Sequence, residues 1–185
     1  PPPPSPSLPP SQPPPAPPRD ELNKLLLSAA TTPNPFQESN RPSDFYSASK
    51  CIDGDFSTLC ATAHMGPYYF SFKLPSNATP IDYVYVTNRG NGFFPKFGTT
   101  SVFLGNDSTS ELYSCGTQSV GSVKRSNRVY PYNCFGQVGF EWLKIRRIGG
   151  VSLEPGAKPG FGLAEVEVYT LSKPSPPPPY PPPSP

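Results

Sequence analysis

Apolar and polar residues alternate along a series of short segments that begins at residue 67. The alternation in residues 67–74 sets four apolar side chains on one side, namely Tyr68, Phe70, Phe72 and Leu74. This is the period-two pattern of a half-buried β-strand. Similar segments recur at 81–87, 100–105, 111–115, 127–134, 138–148 and 163–170. Clusters of Gly, Pro, Asn and Ser separate them, so the pattern predicts an all-β protein, a sandwich or a barrel.

Residues 20–30 (DELNKLLLSAA) follow a different pattern. Leu22, Leu25, Leu26 and Ala29 are spaced to lie on one face of a helix, and Asp20 is a suitable N-cap residue. The segment therefore predicts one short helix ahead of the strands.

Proline divides the chain into three parts. Residues 1–18 hold 12 of the 31 prolines, residues 174–185 hold 9, and residues 19–173 hold the other 10. Because proline lacks a backbone N–H and fixes φ, both end segments are predicted to form polyproline II tails, which rise about 3.1 Å per residue. The middle part is long enough to fold as one domain. The tails are interpreted as rigid spacers or as ligands for a proline-binding groove.

Charge, hydropathy and motifs exclude several function classes. The formal net charge of +2 is too small to indicate nucleic-acid binding, and no apolar run reaches the length of a transmembrane helix. The sequence contains no G-x-S-x-G, H-E-x-x-H, phosphate-binding or dinucleotide-binding motif, and a single histidine leaves few nucleophile–base pairs. We therefore do not expect an enzyme.

The four cysteines form an even set without a C-x-x-C pair: Cys51, Cys60, Cys115 and Cys134. This spacing suits neither a structural zinc site nor a redox pair, so two disulfides are predicted, which indicates an oxidising, extracellular compartment. Three connectivities are open, and we favour pairing between neighbours. Sequons at Asn77 and Asn106 agree with a secreted glycoprotein.

Both Pro-rich tails resemble the hydroxyproline-rich glycoproteins of plant and green-algal walls. The resemblance rests on the SPPPP block, the Ser-Pro and Ala-Pro steps, and the interspersed Tyr180. It implies that contiguous prolines are hydroxylated and carry arabinose chains.

Three segments together resemble the discoidin, or coagulation-factor type C, family and its fucose-binding lectins. They are KCIDGDFSTLCATAH (50–64), YVYVTNRGNGFFPKFGTTSVFLG (83–105) and LAEVEVYT (163–170). The resemblance implies an antiparallel jelly-roll β-sandwich of eight strands.

The same resemblance implies a structural Ca²⁺ site. Asp53 and Glu165 match the positions that supply carboxylates. Lys50, Asp55, Leu59 and Ala164 match positions that supply backbone carbonyls, with the Asp55 side chain as a further ligand. An all-oxygen set suits a hard cation. The alternative is a polar loop closed by a disulfide, with no ion.

The lectin branch also implies a sugar pocket, of which this sequence keeps part. Arg89 and Lys96 match its two basic positions, while the histidine position is Thr62, with His64 two residues further on. Phe93 stands where the lectins carry one of two adjacent cysteines, and its ring is a candidate for stacking on a sugar. The alternative is that Arg89 pairs with a carboxylate and Phe93 packs against the domain.

Two functions follow from these features. The first is an extracellular structural glycoprotein that assembles with copies of itself into a wall, sheath or surface filament through its tails. The second is a calcium-stabilised, lectin-like module that binds glycans from rigid stalks.

Overall fold

The computed structural model describes residues 16–32, 46–62, 68–88, 98–119, 128–149 and 161–171. Two short 3-10 helices lie at Arg19–Glu21 and Ala48–Cys51. All other regular structure in these ranges is β, which confirms the all-β prediction. The strands are β1 (Leu22–Leu25), β2 (Ala29–Thr31), β3 (Cys60–Ala61), β4 (Tyr69–Lys73), β5 (Ile81–Asn88), β6 (Thr99–Gly105), β7 (Tyr113–Ser119), β8 (Val129–Gln137), β9 (Trp142–Gly149) and β10 (Gly162–Leu171).

The strands form two five-stranded sheets in which every pair is antiparallel. The first sheet has the order β1-β10-β5-β8, and β3 also pairs with β10; the second has the order β2-β4-β9-β6-β7. The predicted antiparallel sandwich is therefore confirmed, although the described residues form ten strands instead of the expected eight.

The core lies between the two sheets and is built by alternate residues of each strand. Phe70 and Phe72 of β4 meet Val84 and Val86 of β5 in one cluster of fully buried side chains. This is the alternation that the sequence showed, because successive residues of a strand point to opposite faces.

The predicted helix at residues 20–30 is wrong. The segment instead forms β1, which extends the first sheet, and β2, which extends the second. An isolated helix of this length is marginal in water, whereas β1 gains a ladder with β10 and buries Leu22 against the aromatic rings of Tyr85 and Tyr169. Leu26, which the helix would have buried, is 80% exposed in the link between the strands.

Both disulfides form between neighbouring cysteines, as predicted. Cys51–Cys60 closes the loop that carries Asp53 and Asp55. Cys115–Cys134 joins β7 to β8 and hence one sheet to the other. No described cysteine is free. Closing loops of 9 and 19 residues stabilises the fold by about 3 kcal/mol each in the chain-entropy treatment.

Asn77 and Asn106 both lie in exposed turns, where a glycan is sterically acceptable; their glycosylation stays a prediction. The predicted polyproline II tails, apart from Ala16, Pro17 and Pro18, lie outside the described residues. In the part of the chain that the structure describes, no helix is long and apolar enough to cross a membrane.

Candidate functional site

The central strand β10 is buried on both faces, although one face points away from the core. Val166 and Val168 point into the core, while Glu165 and Glu167 point outward, and all four are buried. Burying a carboxylate is costly unless a partner offsets the lost hydration. The partners of the two glutamates therefore indicate what each does.

Glu167 is paired with two cations of the chain itself. Its Oε2 lies 2.6 Å from Arg19 Nη1, and its Oε1 lies 2.9 Å from Lys24 Nζ. The Tyr169 hydroxyl donates to the same Oε1 at 3.1 Å, and burial beside this charge raises the pKa of Tyr169 to about 12. This glutamate anchors the residues that precede β1 onto the sheet.

Glu165 lacks such partners. The side chain is 1% exposed, and its Oε2 has no hydrogen-bond partner among the described residues. Burial raises the pKa of Glu165 to about 8; Lys24 opposes this shift, while the nearby charges of Asp53 and Glu167 reinforce it. The site thus holds a carboxylate that is short of positive charge.

The disulfide-closed loop from Cys51 to Cys60 covers Glu165. Gly54 adopts φ +78°, a conformation that favours glycine, and its backbone N–H donates to Glu165. Asp53 Oδ1 accepts hydrogen bonds from the Asp55 N–H and the Thr58 hydroxyl, both at 3.0 Å. Asp53 Oδ2 also lies 3.9 Å from Lys50 Nζ. Asp53 and Glu165 consequently line one cleft of about 170 Å³.

The four predicted backbone ligands adjoin the same loop, although none of them lines the cleft. The carbonyl oxygens of Lys50 and Asp55 lie 3.1 and 2.9 Å from the Thr58 hydroxyl oxygen. The β3–β10 register pairs Leu163 with Cys60; continued by one residue, it sets Ala164 opposite Leu59. Ala164 is also the extra residue of a β-bulge, because Leu163 pairs with Asn88 and Glu165 with Thr87, and a bulge leaves its extra residue outside the ladder.

The Asp55 side chain turns away from this cleft. Its Oδ1 accepts from the Ser57 N–H at 2.8 Å and from the Ser57 hydroxyl at 2.6 Å, and these bonds lower the pKa of Asp55. Among the described residues, no three His, Cys, Asp or Glu side chains gather as a metal cluster. A cation in the cleft would thus have two carboxylates and would take its other protein ligands from the backbone.

Thr62 is the one predicted sugar-site residue that the structure describes. It is buried, its N–H donates to the Phe161 carbonyl at 2.8 Å, and its hydroxyl accepts from the Phe161 N–H at 3.1 Å. It thereby ties the end of β3 to the start of β10. The other four candidates, which are His64, Arg89, Phe93 and Lys96, lie outside the described residues.

The two segments that carry those four residues adjoin the sandwich at one place, together with a third segment, residues 150–160. Thr62 precedes residues 63–67, Asn88 precedes residues 89–97, and Phe161 follows residues 150–160. Thr62 bonds to Phe161, and Asn88 pairs with Leu163 two residues beyond it. The three loop ends are therefore neighbours at one end of the first sheet.

The sequence analysis assigned no role to Asn88, the last residue of β5. Its side chain is fully buried, and neither Oδ1 nor Nδ2 has a hydrogen-bond partner among the described residues. A buried amide normally has partners, so Asn88 is a candidate for holding the backbone of an adjoining loop.

No family profile and no curated protein sequence matches this chain. Solved structures do. A fucose binding module of Streptococcus pneumoniae is 15% identical, with 81% of this chain and 96% of that chain covered and a TM-score of 0.59. The CBM32-5 module from Clostridium perfringens, solved with GalNAc-β-1,3-galactose, is 14% identical, with 80% and 100% covered and a TM-score of 0.61.

An F5/8 type C domain from Bacteroides fragilis is 13% identical, with 83% of this chain and 99% of that chain covered and a TM-score of 0.60. At such identities the likeness concerns the fold. This chain has the discoidin-like β-sandwich that these domains share.

Proposed function

We propose that this chain is a secreted, non-catalytic module that binds carbohydrate. The observation that carries the proposal is the convergence of Thr62, Asn88 and Phe161 at one end of the sandwich. Loops held by a rigid scaffold are a common location for binding residues, and the predicted sugar contacts lie in these loops. The two disulfides fit an extracellular setting.

The solved structures of similar fold support this proposal by what they bind. The pneumococcal protein is a fucose binding module, and the clostridial module was solved with a disaccharide. Neither name describes a catalytic domain, which agrees with the expectation that this chain is not an enzyme.

In the proposed site, Arg89 and Lys96 donate hydrogen bonds to sugar hydroxyls, and Phe93 stacks on a sugar face. His64 lies on the loop that begins after Thr62, which serves as the buried base of that loop. Because the lectin histidine position is Thr62 here and the adjacent cysteines are missing, the resemblance does not assign fucose as the sugar.

We further propose that the Glu165 cleft binds Ca²⁺. The chemistry of the cleft supports the ion, since a buried Glu165 oxygen without a partner lies beside a second carboxylate, that of Asp53. The remaining protein ligands would be backbone carbonyls, and these all-oxygen donors suit calcium. The carbonyls are those of Lys50, Asp55, Leu59 and Ala164. The ion would fasten the disulfide-closed loop to β10 near Thr62, and so would help to hold one of the three loops.

The test is binding of the full chain to an array of fucose-, galactose-, N-acetylgalactosamine- and arabinose-terminated glycans. Truncating Arg89 and Lys96 to Ala should lower the affinity for the bound glycan at least about tenfold, because each removes a charged donor. Lys73→Ala is the matched control, since Lys73 is exposed at the opposite end of the sandwich. No binding to any glycan, or equal binding by all variants, would reject the proposal.

Assembly into a wall, sheath or filament through arabinosylated tails is a second candidate function. One contact favours a structural use of the tails: the last residues of the N-terminal Pro-rich segment pack on the sandwich, where the Tyr85 hydroxyl donates to the Pro17 carbonyl.

A further inference from the structure

The outer face of the first sheet carries a group of aromatic residues that faces away from the core. Tyr85 and Tyr169 make an edge-to-face pair with ring centroids 5.4 Å apart, and the Tyr83 ring lies 6.3 Å from that of Tyr85. Leu22 packs into the same cluster and Val129 lies against it. We call these five residues the tyrosine face.

The tyrosine face already holds the end of the N-terminal Pro-rich segment. Ala16 packs against the cluster, and the Tyr85 hydroxyl donates to the Pro17 carbonyl at 3.0 Å. Arg19 then places its guanidinium 4.6 Å from the centroid of the Tyr85 ring while pairing with Glu167. Aromatic rings with hydroxyl donors are a usual surface for recognising polyproline II.

A groove continues this surface beyond Ala16. It has a volume of about 390 Å³, and Ala16 lines it together with Tyr83, Pro131, Asn133 and Phe135. Phe135 is 68% exposed and has φ +57°, a backbone conformation that is uncommon for a bulky residue. The fold thus keeps a large apolar side chain at the surface of the groove.

A second hydrogen-bond donor, Asn133, lines the groove on the same face of the sheet as Tyr85. A polyproline II helix repeats its orientation every three residues, or about 9 Å. If the chain is held at the Pro17 carbonyl, the Pro14 carbonyl therefore points to the same side. Tyr83 pairs with Asn133 and Tyr85 with Pro131. Asn133 is therefore the diagonal neighbour of Tyr85, and the backbone positions of the two residues are about 7–8 Å apart. Its Oδ1 accepts from the Phe135 N–H at 2.8 Å, so its Nδ2 is the end that can donate to a carbonyl.

We propose that this groove is a docking site for polyproline II and that its occupant is the chain's own segment 11–15 (SQPPP). The segment is joined directly to Ala16, which already lines the groove, so its local concentration there is high. Asn133 Nδ2 would donate to the Pro14 carbonyl, and the rings of Tyr83 and Phe135 would pack on pyrrolidine rings. Docking would set the direction in which the N-terminal tail leaves the domain, an interaction separate from glycan binding.

The test is photo-cross-linking of the full chain with Tyr83→p-benzoylphenylalanine, followed by mass spectrometry. An equal mixture of normal and ¹⁵N-labelled chains distinguishes cross-links within a chain from cross-links between copies. Phe103→p-benzoylphenylalanine is the control, because Phe103 is half-buried on the other sheet and lies 5.7 Å from the Arg146 guanidinium. A second variant replaces Pro13, Pro14 and Pro15 by glycine, which keeps the tether but removes the polyproline helix.

We expect cross-links from position 83 to residues 11–15 of the same chain, and few from position 103. The glycine variant should lower their yield about fivefold or more, equivalent to about 1 kcal/mol of docking free energy. An unchanged yield in that variant would mean that proximity alone joins the two, and would overturn the proposal. Cross-links to a differently labelled copy, to residues 172–185, or to no Pro-rich segment would overturn it equally.

Discussion

Glu165 and Glu167 are a matched pair within one strand. Both lie on the outward face of β10, two residues apart, and both are buried. Glu167 is covered by the residues around β1, which bring Arg19 and Lys24 to its two oxygens. Glu165 is covered by the disulfide-closed loop, which brings one N–H group and a second carboxylate, that of Asp53. The same residue type thus has a counterion supplied by the chain at one position and too little positive charge at the other.

The difference teaches how to tell a structural carboxylate from a candidate ligand. A buried glutamate that is paired with cations recovers part of the hydration it has lost and needs no further ligand. A buried glutamate beside another acid remains costly until a proton or a cation arrives. The predictions below test whether the two carboxylates differ in this way.

The largest expected effect is a pH dependence of stability in EDTA. Glu165 has a pKa of about 8 in the folded state and an ordinary value of 4.5. Between these values the unfolded chain has lost the proton that the folded chain keeps, so stability falls as pH rises. The loss is about 3 kcal/mol between about pH 5.5 and about pH 7.5.

Urea unfolding of the wild type and of Glu165→Gln across that range measures this loss. The Gln variant has no proton to release there, so its profile should be flatter by the amount assigned to Glu165. Lys24, Asp53 and Glu167 surround position 165 in both proteins. Their own contribution to the pH profile is therefore common to both. Parallel profiles for the two proteins would contradict the prediction.

The next effect is a loss of stability in Glu167→Gln, with or without calcium. Removing the charge leaves Arg19 and Lys24 without their counterion in a partly buried site, which should cost about 2 kcal/mol. Glu111→Gln is the matched control, because Glu111 also pairs with two cations, Lys144 and Arg146, at 2.8 and 3.0 Å but on the other sheet. A loss in Glu167→Gln that calcium restores would mean that the two glutamates do not differ as described.

The smallest effect is the stabilisation by calcium. At a calcium concentration ten times its Kd, the free energy of unfolding should rise by about 1.4 kcal/mol. Asp53→Asn and Glu165→Gln should each abolish most of this rise. Asp107→Asn should keep it, since Asp107 makes a similar hydrogen-bonded turn with Thr109 and Ser110, outside the cleft. Thermal melting with calcium and with EDTA measures the rise. Identical melting of the wild type under both conditions would reject the calcium site.

The strands of the core were predictable because their pattern is local. Alternation along β4 and β5 reports which side of each strand is buried, whatever strand lies next to it. The segment at 20–30 was not predictable in this way. Its leucines fit a helix as well as a strand, and the pairing that decides between them lies at Val168–Leu171, far along the chain.

The two glutamates show the same limit within the site. The resemblance singled out Glu165 and Asp53, and the structure brings both to one cleft. It did not single out Glu167, whose partner Lys24 is 143 residues away in sequence. Which buried acid meets a cation depends on that long-range contact, and no spacing in the sequence reports it.

The pairing of Leu22 with Leu171 has a mechanical consequence. The first residue of β1 and the last residue of β10 therefore lie side by side, at the pole of the sandwich opposite Gly162 and the candidate binding loops. A pull applied between the two tails would first release the contacts of Pro17 and Arg19 with the sheet. It would then peel β1 from β10 one residue pair at a time, and the core would bear little of the load. A polymer running through this chain would thus carry the sandwich as a side branch, with its loops facing outward.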